Sequence, residues 1–208
     1  MQDYYPGMKS GFGLTQREPV NKPGSQYHFM KEEKVILVNE KDEPIGTMEK
    51  MEAHRKPNLH RAFSVFIFNS RGEMLLQQRG INKYHSAGLW TNACCSHPRP
   101  GEDTGSGARR RLFEELGIAT PLVKIFDFIY ESSFENGLTE FEFDHVFSGN
   151  YDGAIIPDSE EVADYCFMSP EEISSSLVAD PARYSAWFQI AFPKVRTWKE
   201  QTDHKNGG

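Results

Sequence analysis

The chain has 208 residues, 38% apolar and 25% charged, which suits one domain with a proper core and excludes global disorder. A formal net charge of −7 argues against nucleic acid as the main partner, and no apolar run is long enough to cross a membrane. Three cysteines, with Cys94 and Cys95 adjacent, make no disulfide framework; the expectation is a reduced, cytosolic protein in which Cys94 and Cys166 are structural.

Met1 to Met30 carries no apolar signal core and no periodicity, and reads as a disordered extension or an expression remnant. The domain is expected over residues 31–200, followed by a polar tail at 201–208. Lys34 to Asn39 is a β-rich run closed by a turn, and Ile45 to Lys50 is its short partner. His60 to Asn69 and Glu73 to Arg79 flank Ser70 to Gly72, which predicts a hairpin. Asn82 to Gly88 is a polar loop, and Leu89 to Ser96 is extended. A helix is predicted from about Asp103 to Leu116, with Asp103 or Thr104 able to cap its start and Gly117 ending it in the left-handed conformation. Two aromatic-rich strands follow, Lys124 to Glu131 and Thr139 to Phe147, then a strand over Val162 to Met168. Ser169 to Glu172 is a helix start with cap, first-turn proline and acidic first turn together. Asp180 and Pro181 open another helix, which Pro193 interrupts or kinks. Strands with interspersed helices and no regular βαβ repeat predict an α/β fold, a mixed sheet covered on both faces.

Chemistry concentrates in three places. In the extended run Trp90 to Pro98, Cys95 and His97 project to one side. A cation near such a thiol favours thiolate, although taken alone the pair reads as a small buried Cys and a hydrogen-bonded His. His54 and His60 punctuate the start of an apolar strand, and with His97 they raise a three-imidazole site on loose spacing. In Thr139 to Phe147, Glu140, Glu142 and Asp144 share one face and Phe141, Phe143 and His145 the other. That window alone reads as a half-exposed strand with a solvated acidic face. Turned into a cleft, its carboxylates plus the three His would suit Zn²⁺ or Mn²⁺.

The helix places Arg111 and Glu115 at i and i+4, by itself a surface ion pair on an amphipathic helix. Ser96 to Ile118, however, resembles the Nudix box, G-x5-E-x7-R-E-U-x-E-E-x-G-U. Glu102, Arg110, Leu112, Glu114, Glu115, Gly117 and Ile118 fall in place. Ser96 replaces the opening Gly, and Arg111 replaces a Glu that helps bind metal in the hydrolases. The frame is retained while the hydrolase chemistry is weakened.

From about Lys34 to Glu200 the chain resembles the type I isopentenyl-diphosphate isomerases. The landmarks are Gly46 to Lys50, His54, Leu59 with His60, Arg79, Lys83, Trp90 to Asn92, Cys95 to Pro98, the degenerate box, Tyr130, Glu140 with Glu142, and Trp187. The resemblance implies a Nudix-type α/β/α sandwich that interconverts isopentenyl and dimethylallyl diphosphate by protonation and deprotonation. It implies Cys95 and Glu142 as the catalytic pair, assisted by Tyr130, and His54, His60, His97, Glu140 and Glu142 as ligands of one Mn²⁺ or Zn²⁺. Glu115 matches the carboxylate that holds Mg²⁺ against the diphosphate. Lys50, Arg79, Lys83, Ser96 and Arg111 match diphosphate contacts, and Trp187 the aromatic face for a carbocation. The partner expected is a small prenyl diphosphate, with the protein a monomer that binds neither nucleic acid nor membrane. The rival readings are a Nudix-type diphosphate hydrolase and a non-catalytic binder of an isoprenoid diphosphate.

Overall fold

A computed structural model describes residues 33–206, so the reading of Met1 to Met30 lies outside the described residues. The frame is set by β3 (His60–Phe68), nine residues of which only Arg61 is not buried. It pairs in parallel with β8 (Thr139–Asn150), from His60 opposite Glu142 to Phe68 opposite Asn150. On the outer side of β8 runs β7 (Val123–Ser133), antiparallel and joined to it by a tight turn at Gly137. The antiparallel pair β1 (Lys34–Val38) and β2 (Pro44–Glu49) attaches to β3 at Leu37 and His60.

The predicted hairpin holds only at its turn. β4 (Met74–Arg79) touches β3 at the single pair Phe68 and Met74, then diverges to lie between β9 (Val162–Met168) and β5 (Trp90–Asn92). The extended run 89–96 divides at Ala93. Its first half, β5, pairs with β4, and its second half, β6 (Cys94–Ser96), crosses to β3, with Cys95 opposite Ser64. Local turn chemistry therefore fixes where the chain reverses, while burial against distant strands decides partners. The result is one mixed sheet.

Period two along β3 sends successive side chains to opposite faces. Phe63, Val65 and Ile67 pack on Ala108, Leu112 and Leu116 of α2 (Thr104–Leu116). Phe66 and Phe68 pack instead on Trp187, Phe188 and Phe192 of α4 (Ala186–Asn206), with Ile173 of α3 (Pro170–Ala179) in the same cluster. Helices on both faces make the α/β/α sandwich.

The helix signals act as expected. Asp103 caps α2 through Ser106 N–H, and Gly117 closes it at φ 67°. Ser169 and Glu172 form a reciprocal capping box on α3. Asp180 and Pro181 open only a short 3₁₀ turn, Pro181–Arg183; the long helix starts at Ala186. That helix contains Pro193 and continues to Asn206, so residues 201–206 of the expected polar tail are helical. One helix was not anticipated, α1 (Lys50–Arg55), nucleated by Glu49, whose carboxylate accepts from Met51 and Glu52 N–H.

The loop before β9 is held against the end of β4 at Gly80. A Cβ there would lie 2.6 Å from the Glu160 carbonyl oxygen and 3.1 Å from that of Glu161, both backbone atoms that cannot rotate aside. We expect Gly80→Ala to cost about 1–3 kcal/mol by overpacking, read as a lowered denaturation midpoint. A midpoint equal to wild type would refute this account of the loop.

Candidate active site

α1 and the start of β3 bring two imidazoles together. His54 Nδ1 lies 2.7 Å from the Lys50 carbonyl oxygen, and His60 Nδ1 2.8 Å from that of Asn58. Each ring donates through Nδ1, so each turns an Nε2 lone pair inward. His97, just past β6, lies with Nε2 3.2 Å from that of His60 and 2.9 Å from Glu142 Oε1. Ligand atoms of His54, His60, His97 and Glu142 all lie within 4.8 Å of one another, and His54 Nε2 is buried with no hydrogen-bond partner. Burial favours the neutral form of two of them: it depresses His54, and it holds His97 at about 4 even against the pull of Glu142. Converging imidazole nitrogens, one unsatisfied, beside a carboxylate are a donor set that fits a divalent cation such as Zn²⁺ or Mn²⁺.

The acidic face of β8 is not solvated. Glu140, Glu142 and Asp144 are 5%, 6% and 1% exposed, the reverse of what the strand's own pattern suggests. Glu140 does not converge with the four-residue group; it meets His54 and His85, with Oε1 3.2 Å from His85 Nε2. The Tyr130 hydroxyl spans the two glutamates, 2.7 Å from Glu142 Oε2 and 3.0 Å from Glu140 Oε2. Burial and the neighbouring Glu142 push Glu140 up. Burial acts on Glu142 in the same sense, but the imidazoles of His60 and His97 beside it outweigh it and hold Glu142 ionised. Environment thus separates two adjacent carboxyls into acid and base forms.

Cys95 faces this group from β6. Its thiol donates to Asn92 Oδ1 at 3.0 Å and lies 3.4 Å from Ser64 Oγ, which in turn donates to Asp144 Oδ2 at 2.7 Å. Burial first, then Asp144, push the thiol up, so it keeps its proton. Asp144 is itself raised to about 8 by burial and by Glu142.

These groups wall a narrow cavity of about 50 Å³. Cys95, Tyr130, Glu140, Glu142 and His97 line it, together with Trp187, which also belongs to the core packed on α4. The expected anion contacts line it as well: Lys50, Arg79, Lys83, Ser96 and Arg111. Arg79 lies 5.0 Å from the Trp187 ring centroid, and its Nε is buried without a partner. Lys50 rests 2.9 Å from Glu33, and Arg111 on Glu114 at 2.9 Å and Glu115 at 2.7 Å. Glu115 is not in the cavity wall. It is buried behind Arg111, its other oxygen accepting from Gln77 at 3.1 Å, so the pair is no surface salt bridge.

Sequence reasoning passed over His85, Tyr84, Ser64 and Glu161. The first two sit in an aperiodic loop, where no pattern separates ligands from linkers. Ser64 lay hidden in an apolar strand.

A NUDIX domain match covers residues 58–188. The isopentenyl-diphosphate Delta-isomerase of Pectobacterium atrosepticum is 48% identical over 77% of this chain and 90% of its own length. That of Burkholderia multivorans is 47% identical over 80% and 98%. The chain belongs to the isopentenyl-diphosphate Delta-isomerase family. Solved NUDIX-fold neighbours share the architecture at low identity. The DR0079 protein of Deinococcus radiodurans has a TM-score of 0.60 at 22% identity, covering 71% of this chain and 90% of its own. A MutT protein from Methanosarcina mazei has 0.56 at 22%, over 69% and 95%. Against the NUDIX-box pattern, the isomerase-family chain keeps Glu102 and Arg110 as a two-bond pair, both at 2.8 Å, that ties the 99–102 turn to α2. Arg111 spends the box's remaining carboxylates on itself.

Burial, with Arg79 adding to it, holds His85 at about 3. Unfolded, it takes up a proton as pH falls below 6.5, whereas folded it stays neutral, so stability is present above 6.5 and lost as pH falls toward 3. His97 adds to the same slope. In chelator, we expect the urea midpoint of His85→Gln to fall less between pH 6.5 and 4 than that of wild type. Parallel profiles would show that His85 is not held neutral.

Proposed function

We propose that the protein interconverts isopentenyl and dimethylallyl diphosphate, with Cys95 and Glu142 exchanging protons with the substrate across the cavity. The observation that carries the reading is that the Cys95 thiol and the Glu142 carboxylate, from strands on either side of β3, wall one narrow cavity beside four cationic side chains. Its membership of the family supports the same reaction over diphosphate hydrolysis. So does Arg111, which neutralises Glu114 and Glu115 where a hydrolase needs them for metal.

In this mechanism Cys95 gives its proton to the terminal CH₂ of the alkene, leaving a tertiary carbocation at the branched carbon. Glu142 takes a proton from the CH₂ on the other side, and the double bond forms there; the two residues exchange roles in the reverse direction. Tyr130 hydrogen-bonds both glutamates and steadies the base. Dryness matters because water would quench the cation. The Trp187 face stabilises it by ~0.5–2 kcal/mol. Lys50, Arg79, Lys83, Ser96 and Arg111 hold the diphosphate, binding energy remote from the reacting carbons. The unpartnered N–H of Arg79 supports that assignment.

His54, His60, His97 and Glu142 would hold one Mn²⁺ or Zn²⁺, with Glu140 the outer member. Such an ion would supply positive charge that fixes Glu142 and tunes its basicity. Mg²⁺ would accompany the diphosphate on Glu115, which requires the Arg111–Glu115 pair to open. Among the described residues no helix is long and apolar enough to cross a membrane, and Cys94, Cys95 and Cys166 are free thiols.

The test is incubation with isopentenyl diphosphate and Mg²⁺. Allylic product without inorganic phosphate is expected, and phosphate release would instead select the hydrolase. Cys95→Ser and Glu142→Gln should each lower kcat by ~10²–10⁴-fold with inorganic diphosphate affinity within a few fold of wild type. Wild-type turnover by either variant would remove that residue from the mechanism. Stripping metal with a chelator should lower the thermal midpoint, restored by stoichiometric Zn²⁺ or Mn²⁺. In His54→Ala the restoration should be lost; an equal restoration there would place the ion elsewhere.

A further inference from the structure

Two cations of the cavity wall come from separate elements, Lys83 from the 82–88 loop and Arg111 from α2, and they meet on one carboxylate. Glu161 takes Lys83 Nζ on Oε2 and lies 3.2 Å from Arg111 Nη2 through Oε1. Its backbone is pinned: Gly80 N–H donates to its carbonyl at 2.8 Å, and its own N–H donates to that of Asp158 at 3.0 Å. Burial alone would push the carboxyl up, but Lys83 and Arg111 more than offset it and keep Glu161 anionic. With Glu114 and Glu115 counted, two cations face three carboxylates.

We propose that Glu161 is a positioning residue that occupies, when no diphosphate is bound, the places on Lys83 and Arg111 that diphosphate oxygens take, and so holds the anion site below its maximal affinity. The inference rests on reading the cavity as a diphosphate site. A carboxylate and a diphosphate oxygen compete for the same N–H donors. Substrate and product carry the same diphosphate, so affinity at that end is uniform; it does not lower the barrier, and in excess it slows departure. A tethered competitor keeps the two cations together and the diphosphate exchangeable.

The test is calorimetric titration of inorganic diphosphate with Mg²⁺ into wild type, Glu161→Gln and Glu161→Asn. The amides remove the charge, and Arg111 retains Glu114 and Glu115. Diphosphate Kd should fall about tenfold in both variants, as loss of one charge-assisted competitor implies. Affinity should also become more salt-dependent, a change that mere loosening of the fold cannot give. An equal or weaker affinity in the variants overturns the proposal. Wild-type turnover of isopentenyl diphosphate, measured on the same preparation, separates the two claims. Turnover without tightening removes this inference alone, whereas a wild type that neither turns over nor binds diphosphate removes the reading beneath it as well.

Discussion

The site depends on the parallel register between β3 and β8. Pairing His60 with Glu142 turns both toward one interior, and it brings Asp144 within reach of Ser64. Side chains alternate with period two, so a slip of one residue would carry all three carboxylates of β8 to the opposite face and put Phe143 and His145 in the cavity. The register is fixed by what the two faces bury. Phe63, Val65 and Ile67 are committed to α2, Phe66 and Phe68 to α4, and neither helix can accept the other set without polar groups entering the core.

Three buried carboxylates on one strand face are expensive, since an unpaired buried charge shifts its pKa rather than persist. The fold meets this unevenly. Asp144 and Glu140 are pushed toward the protonated form, whereas Glu142 alone collects two imidazoles and a phenol and stays ionised. That asymmetry is the chemical content of the site. Were all three ionised, their mutual repulsion would oppose the fold, so the strand face keeps one charge and partners it. The same burial that raises Glu140 and Asp144 raises Cys95, so one physical cause favours the uncharged form of thiol and carboxyl alike.

Much of this was legible in the sequence where the signal was local. Asp103 and Gly117 bound α2, Ser169 and Glu172 start α3, and β9 falls on its predicted residues, because caps and turns are decided by nearest neighbours. Cys95, His97 and Glu142 stood out as candidates, but each window alone read as ordinary structure, and only the combination of motifs that resembles the isomerases gave them roles. What escaped was set at a distance. β8 alternates cleanly, yet both its faces are buried, since His54 of α1 and His85 of the 82–88 loop meet the acidic face that a strand read alone would leave to solvent. α1 was missed because six residues cannot establish a helical period, and Glu is not among the preferred N-caps. His85 lies in a loop whose only signal is polarity, and its place beside Glu140 is imposed by Phe134 stacking on its ring at 4.5 Å.

The substitution at position 111 shows how one side chain redirects an inherited frame. Helix α2 keeps the frame of the NUDIX box: Asp103 caps it, Glu102 locks Arg110, and Gly117 ends it. With a carboxylate at 111, the helix would face its ligand as a cluster of acids, attractive to the ligand only through several metal ions. The guanidinium instead answers Glu114 and Glu115 directly and presents the remaining positive character to the cavity. Neutralising charge at the diphosphate without assembling a metal-activated water is what a reaction with a cationic intermediate requires, because any nucleophile generated there would consume the cation before a proton could leave.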